Sequence, residues 1–157
     1  GVIYIGAATE AEMKAKKYKI EDAINATKAA IEEGIVVGGG RILFGCAQAL
    51  RKHADANLPG FKIVADALEV PMKQILINAG VIVESTINDI IEEKNENFGY
   101  NAKIDNLCDL VKAGVIDPVK VTKSVINNSI SIAGLILTTE AVMVDDIPNV
   151  ENKEVTL

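Results

Sequence analysis

Ala29-Ala30-Ile31-Glu32-Glu33-Gly34-Ile35-Val36-Val37-Gly38-Gly39-Gly40-Arg41 is the stretch on which the reading of this chain turns. A charged helix stops at Gly34. Three consecutive glycines then lead into Arg41 and a second helix. Consecutive glycines let the backbone take positive φ and approach a ligand closely. They stand just before a helix N-terminus, whose free N–H groups and dipole favour an anion. The glycines alone leave two readings open: a turn that contacts a phosphate or nucleotide, and a flexible hinge between helices.

Upstream, Thr9 with Glu12 three positions on has the form of a capping box. A helix is expected from Glu10 to Glu33, with Met13, Ile20, Ala23, Ile24, Thr27, Ala30 and Ile31 as its apolar stripe. Gly34 then acts as its C′ residue. Val2 to Ile5 reads as a short N-terminal strand in need of a partner.

Downstream, helices are expected over Arg41 to Ala56, Phe61 to Asn78 with a bend at Val70-Pro71, and Val81 to Glu92. Phe98 to Asn101 reads as extended, and Ile104 to Ala113 as a short helix ending at Gly114. Asp117-Pro118 has the form of a helix start, Asp at N-cap and Pro at N1. The helix from Pro118 to Thr138 is almost wholly apolar in its second half, which predicts a central core helix. Ala141 to Val144 is a possible short C-terminal strand, and a poorly ordered tail is expected from Asp145. The fold class is therefore mainly α, a multihelical bundle with a short strand at each end.

Composition narrows the function. The chain has 157 residues, 49% of them hydrophobic and only 4% aromatic, so its core is aliphatic. A net charge of −6 argues against a nucleic-acid surface, which needs clustered Lys and Arg. No apolar run reaches the roughly 18 residues of a membrane helix, and the first residues lack the pattern of a signal peptide. Cys46 and Cys108 are expected to be buried free thiols, and His53 has no partner at metal-ligand spacing, so no metal site is expected from protein ligands alone. A soluble, reducing compartment is the default.

Several blocks together resemble the group I chaperonins (GroEL type). They are Gly6-Ala7-Ala8-Thr9-Glu10-Ala11-Glu12-Met13-Lys14, Ile20-Glu21-Asp22-Ala23, the stretch through Gly40, Phe98-Gly99-Tyr100-Asn101-Ala102, Gly114-Val115-Ile116-Asp117-Pro118 and Ala133-Gly134-Leu135-Ile136-Leu137-Thr138-Thr139-Glu140. They occur in the family's order from Gly1 to about Pro148. The resemblance implies three segments: the C-terminal part of an intermediate domain (1–33), the C-terminal half of an equatorial ATP-binding domain (34–148) and a flexible tail (149–157).

It also implies roles. Asp22 would be the catalytic carboxylate that swings over the nucleotide and accepts a hydrogen bond from the attacking water. From its place on the helix alone, it reads as one more exposed carboxylate. Gly38 and Gly39 would lie against the nucleotide near its sugar, where a side chain would intrude. Asn101, Ala102 and Lys103 would contact adenine. Lys103 stands where relatives carry a small residue, so its contact would be through the backbone. Val115 would line the adenine pocket, and Asp117 would bind a ribose hydroxyl. The cofactor would be ATP or ADP with Mg²⁺.

The family's Gly-Asp-Gly-Thr-Thr loop and lysine, which bind phosphates and metal, have no counterpart in this sequence, nor has its apical domain. The expected function is part of an ATP-dependent chaperonin, with half of the ATP pocket and some ring contacts, inactive as an ATPase by itself. A ring homo-oligomer, a cochaperonin and unfolded clients are the implied partners, the last two through the apical domain. The implied setting is a bacterial cytoplasm, or alternatively a mitochondrial matrix or plastid. A self-associating helical module with no nucleotide role remains as the non-enzymatic alternative. An unrelated nucleotide-binding enzyme is disfavoured, because the glycines are expected to follow a helix rather than a strand.

Overall fold

The structure, a computed structural model, describes residues 1–53, 55 and 57–144. Among these residues five helices account for most of the fold, and two short antiparallel ladders complete it. The mainly helical class expected from the sequence is the one found. Two compact units are present, Gly1–Lys123 and the stretch from Ser124 onward.

Helix α1 spans Glu10–Glu33. Thr9 is extended at its N-cap, and the Glu12 amide donates to Thr9 Oγ1 at 3.2 Å. Gly34, at φ 85°, closes the helix with its amide on the Ala30 carbonyl at 2.8 Å. Both ends fall where the capping chemistry placed them. No α1 side chain is buried, and Ile31 of the expected apolar stripe is exposed.

After Gly34 the chain enters a strand, β1 (Ile35–Val37), which pairs with β4 (Ile116–Pro118). The register is Ile35 opposite Pro118, Val36 opposite Asp117 and Val37 opposite Ile116. The glycines therefore follow a short strand, not a helix directly. Asp117 and Pro118 belong to β4, and helix α5 (Val119–Thr138) starts one residue later, so Asp117 is not its N-cap. Proline can end a ladder because it needs no donor there. Glu32 and Glu33 at the end of α1 bond the Nζ atoms of Lys120 and Lys123, the latter at 2.7 Å.

Helices α2 (Arg41–Arg51) and α3 (Pro59–Ala79) pack together. Part of the end expected for α2 lies outside the described residues. Pro71 sits inside α3, which runs on without a break. Between the two helices Glu69 is buried and takes four donors: Gln48 Nε2 at 3.5 Å, Arg51 Nε at 3.1 Å, Arg51 Nη2 at 2.9 Å and Lys73 Nζ at 2.7 Å. Asp66 receives Arg51 Nη2 at 2.6 Å. Burial pushes the Glu69 carboxyl up, but the bonds from Lys73 and Arg51 outweigh it and hold it below the usual range. A buried charge is tolerable when paired in this way.

Helix α4 (Val83–Glu92) brings Ile90 into a core with Phe44 of α2 and Met72 of α3, and Ile87, Phe98 and Leu107 pack around it. Strands β2 (Phe98–Asn101) and β3 (Asn106–Asp109) form a hairpin where a short helix was expected over Ile104 to Ala113. The spacing of Ile104, Leu107 and Leu110 suits a helix, yet only Leu110 is fully buried.

The second unit carries the rest of α5. None of its described side chains is buried, and Ile130, Leu135, Ile136 and Leu137 are exposed, so α5 is not the core helix its composition predicts. Apolarity states that a face needs cover but not which surface supplies it. Neither Val2 to Ile5 nor Ala141 to Val144 forms a strand, and Val2, Ile3, Tyr4, Val142, Met143 and Val144 are exposed. The tail segment 149–157 lies outside the described residues. Cys108 is half-buried, while Cys46 is exposed rather than buried as expected. Among the described residues no helix is long and apolar enough to cross a membrane.

Candidate functional site

The first unit brings Gly38, Gly39 and Val115 together. The β1–β4 pairing continues past Val37, because the Gly38 amide donates to the Val115 carbonyl at 3.0 Å. Gly38 is buried there, and a Cβ would sit 3.2 Å from the Val115 carbonyl and from the Ile116 amide nitrogen. Gly39 follows at φ 65°. A Cβ on it would lie 3.9 Å from the Tyr100 carbonyl oxygen and 4.0 Å from Val115 Cγ1. Gly40, at φ 73°, leaves no room at all, with the Met72 backbone nitrogen 2.8 Å from a Cβ. Thus Gly39 faces the end of β2 and Val115, while Gly38 and Gly40 serve close backbone packing.

Val115 immediately precedes β4, and Asp117 is its middle residue, opposite Val36. Val115 is half-buried and apolar, and Asp117 is exposed. Among the described residues the Asp117 carboxylate has no hydrogen-bond or ion-pair partner.

Asn101 ends β2 and is buried. Its Oδ1 accepts the Lys103 amide at 3.0 Å, and its carbonyl accepts the Ile104 amide at 3.2 Å. Its side-chain oxygen is thus committed to the turn, which presents Ala102 and Lys103, both exposed. No backbone hydrogen bond among the described residues takes up the Ala102 amide or carbonyl.

Asp22 is not brought to this cluster. It lies mid-helix on α1, exposed, about 17 Å along the axis from Glu33 at 1.5 Å per residue. Among the described residues it has no side-chain partner.

Residues the sequence reading passed over also shape the site. Leu110 Cδ1 lies 3.7 Å from a Cβ built on Gly39. Arg41, the first residue of α2, donates from Nε to the Phe98 carbonyl at 2.9 Å and ties the helix after the glycines to β2. Burial lowers its pKa despite the nearby Glu96. An arginine directly after the glycines is the only signal that could have pointed to this tie.

Around Gly39 the structure thus places the Val115 side chain, the Leu110 side chain and the Tyr100 carbonyl oxygen. Among the described residues no cluster of three His, Cys, Asp or Glu side chains is placed to hold a metal. A separate groove of about 740 Å³ is lined by Val36, Ile42, Phe44, Gln48, Ile90 and neighbouring side chains. None of Gly38, Gly39, Asn101, Val115 or Asp117 lines it.

A solved structure described as "Crystal structure of group III chaperonin in the open state" superposes with a TM-score of 0.78 at 24% identity. The match covers 88% of this chain and 30% of that one, so this chain spans about a third of its length. At that identity the likeness concerns the fold. Residues 1–146 match the model of the TCP-1/cpn60 chaperonin family. That match extends over nearly the whole sequence, and the chain belongs to the TCP-1/cpn60 chaperonin family.

Proposed function

We propose that this chain is part of an ATP-dependent chaperonin of the group I type and supplies the sugar and base side of its ATP pocket. The observation that carries this reading is the approach of Gly39 to Val115 and the Tyr100 carbonyl. Gly38 and Gly39 would admit the sugar, Asp117 would accept hydrogen bonds from its hydroxyls, and Val115 would pack on the base. The turn at Asn101, Ala102 and Lys103 would face the base edge. Bound ATP with Mg²⁺ would supply the phosphoanhydride whose hydrolysis drives the folding cycle. Asp22 would orient water only after α1 moves toward the pocket, since its carboxylate stands far along the helix.

Most of the electrostatic stabilisation of phosphoryl transfer comes from groups that hold phosphates and metal. Those groups would be supplied from outside these residues, so the chain by itself should hydrolyse ATP negligibly. In this reading 1–33 belongs to an intermediate domain, 34–148 to an equatorial domain and 149–157 to a tail. A ring homo-oligomer, a cochaperonin and unfolded clients are the proposed partners, in a bacterial cytoplasm, a mitochondrial matrix or a plastid.

The exposed apolar side chains Ile130, Leu135, Ile136 and Leu137 favour a second reading, a self-associating module without a nucleotide role. Calorimetric titration with ATP and Mg²⁺ separates the two. The first reading expects weak binding that Asp117→Ala reduces at least about tenfold, a bond to a charged group being worth about 1.5–3 kcal/mol. Binding unchanged by that substitution, or ATP turnover by the chain alone, contradicts it.

A further inference from the structure

Strand β1 has one unused edge. The Gly38 amide bonds the Val115 carbonyl at 3.0 Å, and the Val119 amide bonds the Gly34 carbonyl at 3.1 Å. Residues 34 and 38 thus turn backbone groups toward the β4 side. By alternation Val36 does too, while Ile35 and Val37 turn theirs away. Among the described residues no backbone bond of Ile35 or Val37 appears outside that ladder. Val37 is nevertheless buried, and buried backbone groups nearly always have partners. The groove of about 740 Å³ touches Ile35, Val36 and Val37 alike. Successive strand residues point to opposite faces, so one groove that touches all three runs along the edge. Phe44 and Ile90 give it an apolar wall.

The same chain carries a strand-forming run without a partner, Val2-Ile3-Tyr4-Ile5, whose first three side chains are exposed. It cannot reach the edge of its own β1. Helix α1 has 24 residues and holds its two ends about 35 Å apart. Val2 lies eight residues before Glu10 and reaches about 29 Å from it when fully extended. A second copy can bring the run to the edge.

We propose that two copies of this chain pair through antiparallel α1 helices, each adding Val2–Ile5 as a strand to the free edge of the other's β1. Antiparallel helices of equal length put the start of one beside the end of the other. The donated run then lies antiparallel to β1, with two of its residues exchanging bonds with Ile35 and Val37. All four of its side chains are apolar and suit the wall of Phe44 and Ile90. Helix α1 suits the pairing as well. None of its side chains is buried, and Met13, Ile20, Ile24 and Ile31 form a stripe along it. Met13 and Ile31 are equidistant from Asp22, and so are Ile20 and Ile24. Turned end for end, the stripe meets itself, Met13 against Ile31 and Ile20 against Ile24. Charge favours the same direction. Glu10–Lys19 holds four lysines and two glutamates, whereas Ile20–Glu33 holds four carboxylates and one lysine. Antiparallel helices set the basic half against the acidic half, and parallel ones set like against like. The exchange is reciprocal, so the pair closes with no strand left over. The exposed bond from Lys16 Nζ to the Gly6 carbonyl, 2.9 Å, opens as the segment extends. The proposal is independent of the nucleotide reading and of the apolar face of α5.

The test uses the chain with Ile136→Lys and Leu137→Lys, which removes association through α5. Ile3→Pro with Tyr4→Pro is added in one variant and Ile24→Glu in another. Sedimentation equilibrium reads the dissociation constant. Hydrogen exchange at about 20 and 400 µM reads the amides of Ile35 and Val37. The expected result is a dimer whose Ile35 and Val37 amides exchange about two- to fourfold more slowly at the higher concentration, the range that mass action allows. The two prolines remove an N–H from whichever alternate pair faces β1. They should weaken the dimer at least about tenfold and abolish the concentration dependence. The melting temperature of the dilute monomer should not move, because both residues are exposed. Ile24→Glu sets a charge against the partner copy's apolar stripe and should weaken the dimer at least about tenfold too.

A chain that stays monomeric at the higher concentration overturns the proposal. So does a dimer unchanged by the prolines, or one in which Ile35 and Val37 exchange alike at both concentrations. A dimer indifferent to Ile24→Glu overturns the helix pairing, and the proposal with it.

Discussion

The Gly38 amide bonds the Val115 carbonyl at 3.0 Å, and a Cβ on Gly38 would press on that same peptide at 3.2 Å. One contact therefore joins the glycine turn to the strand that carries Asp117. Gly40 is tighter still, with positive φ and the Met72 backbone at 2.8 Å from a Cβ. Gly80 is also left-handed, at φ 76° and ψ 18°, but has open space around it. Alanine substitutions should then rank in order. Gly80→Ala should cost about 1 kcal/mol for left-handed backbone alone, and Gly40→Ala about 3 kcal/mol, because strain and backbone clash add. Urea denaturation measures both. Equal losses would mean that the Met72 contact gives way freely.

Glu69 is the hub between α2 and α3. Removing it strands Arg51 and Lys73, yet each is about 40% exposed and can turn to water (40% and 41%). Glu69→Ala should therefore cost about 1–3 kcal/mol, below the range for a fully buried pair. Lys14→Ala, which breaks the exposed pair with Glu10, should cost under about 0.5 kcal/mol. Denaturation midpoints of the two variants check the contrast.

Stability should fall at both ends of the pH scale. Glu69 and Asp109 have depressed folded pKa values. Asp109 is lowered first by the Lys112 backbone amide, then by the Asn95 side chain. Depressed carboxylates stabilise the fold above their unfolded pKa, about 4, and that contribution disappears as pH falls through their folded values. Tyr100 and Lys120 are raised, by bonds to Asp105 and Glu32 first of all. Their contribution is complete below an unfolded pKa of about 10 and is lost as pH rises through the folded values. Thermal melting between pH 2 and 11 should show a plateau with decline on either side. In Glu69→Gln the acid decline should be shallower.

The exposed apolar face of α5 should drive association. Ile136→Lys together with Leu137→Lys should lower the sedimentation coefficient at micromolar concentration without lowering the melting temperature, since neither residue is buried. A lower melting temperature would show that the face is packed within the chain.

Where local chemistry was enough, the sequence already revealed the structure. Thr9 and Gly34 bound α1 because capping is a short-range effect. Phe98 to Asn101 was legible as extended, and it forms β2, though the short helix expected after it is the second strand of a hairpin. What escaped was long-range pairing. Strand β1 is three residues long and exists because Ile116–Pro118 lies beside it, and nothing in Ile35-Val36-Val37 names that partner. Asp117 was legible as a cap because Asp-Pro suits a helix start, but the same pair also suits the end of a ladder. Ile104, Leu107 and Leu110 have helical spacing, yet Ile104 falls in the turn, Leu107 in β3 and Leu110 just past it. Gly38, Gly39 and Val115 come together through the first of these pairings, so their closeness was not readable from spacing. The tie from Tyr100 to Asp105 depends on a register that only the folded hairpin fixes.

The most direct test of the nucleotide reading is a map of amide chemical-shift changes in the isotopically labelled chain on addition of ATP and Mg²⁺. The account predicts changes at Gly38, Gly39, Asn101, Ala102, Lys103, Val115 and Asp117. It predicts none at Ile42, Gln48 and Ile90 of the separate groove. Changes confined to the groove, or none anywhere at millimolar nucleotide, would contradict it.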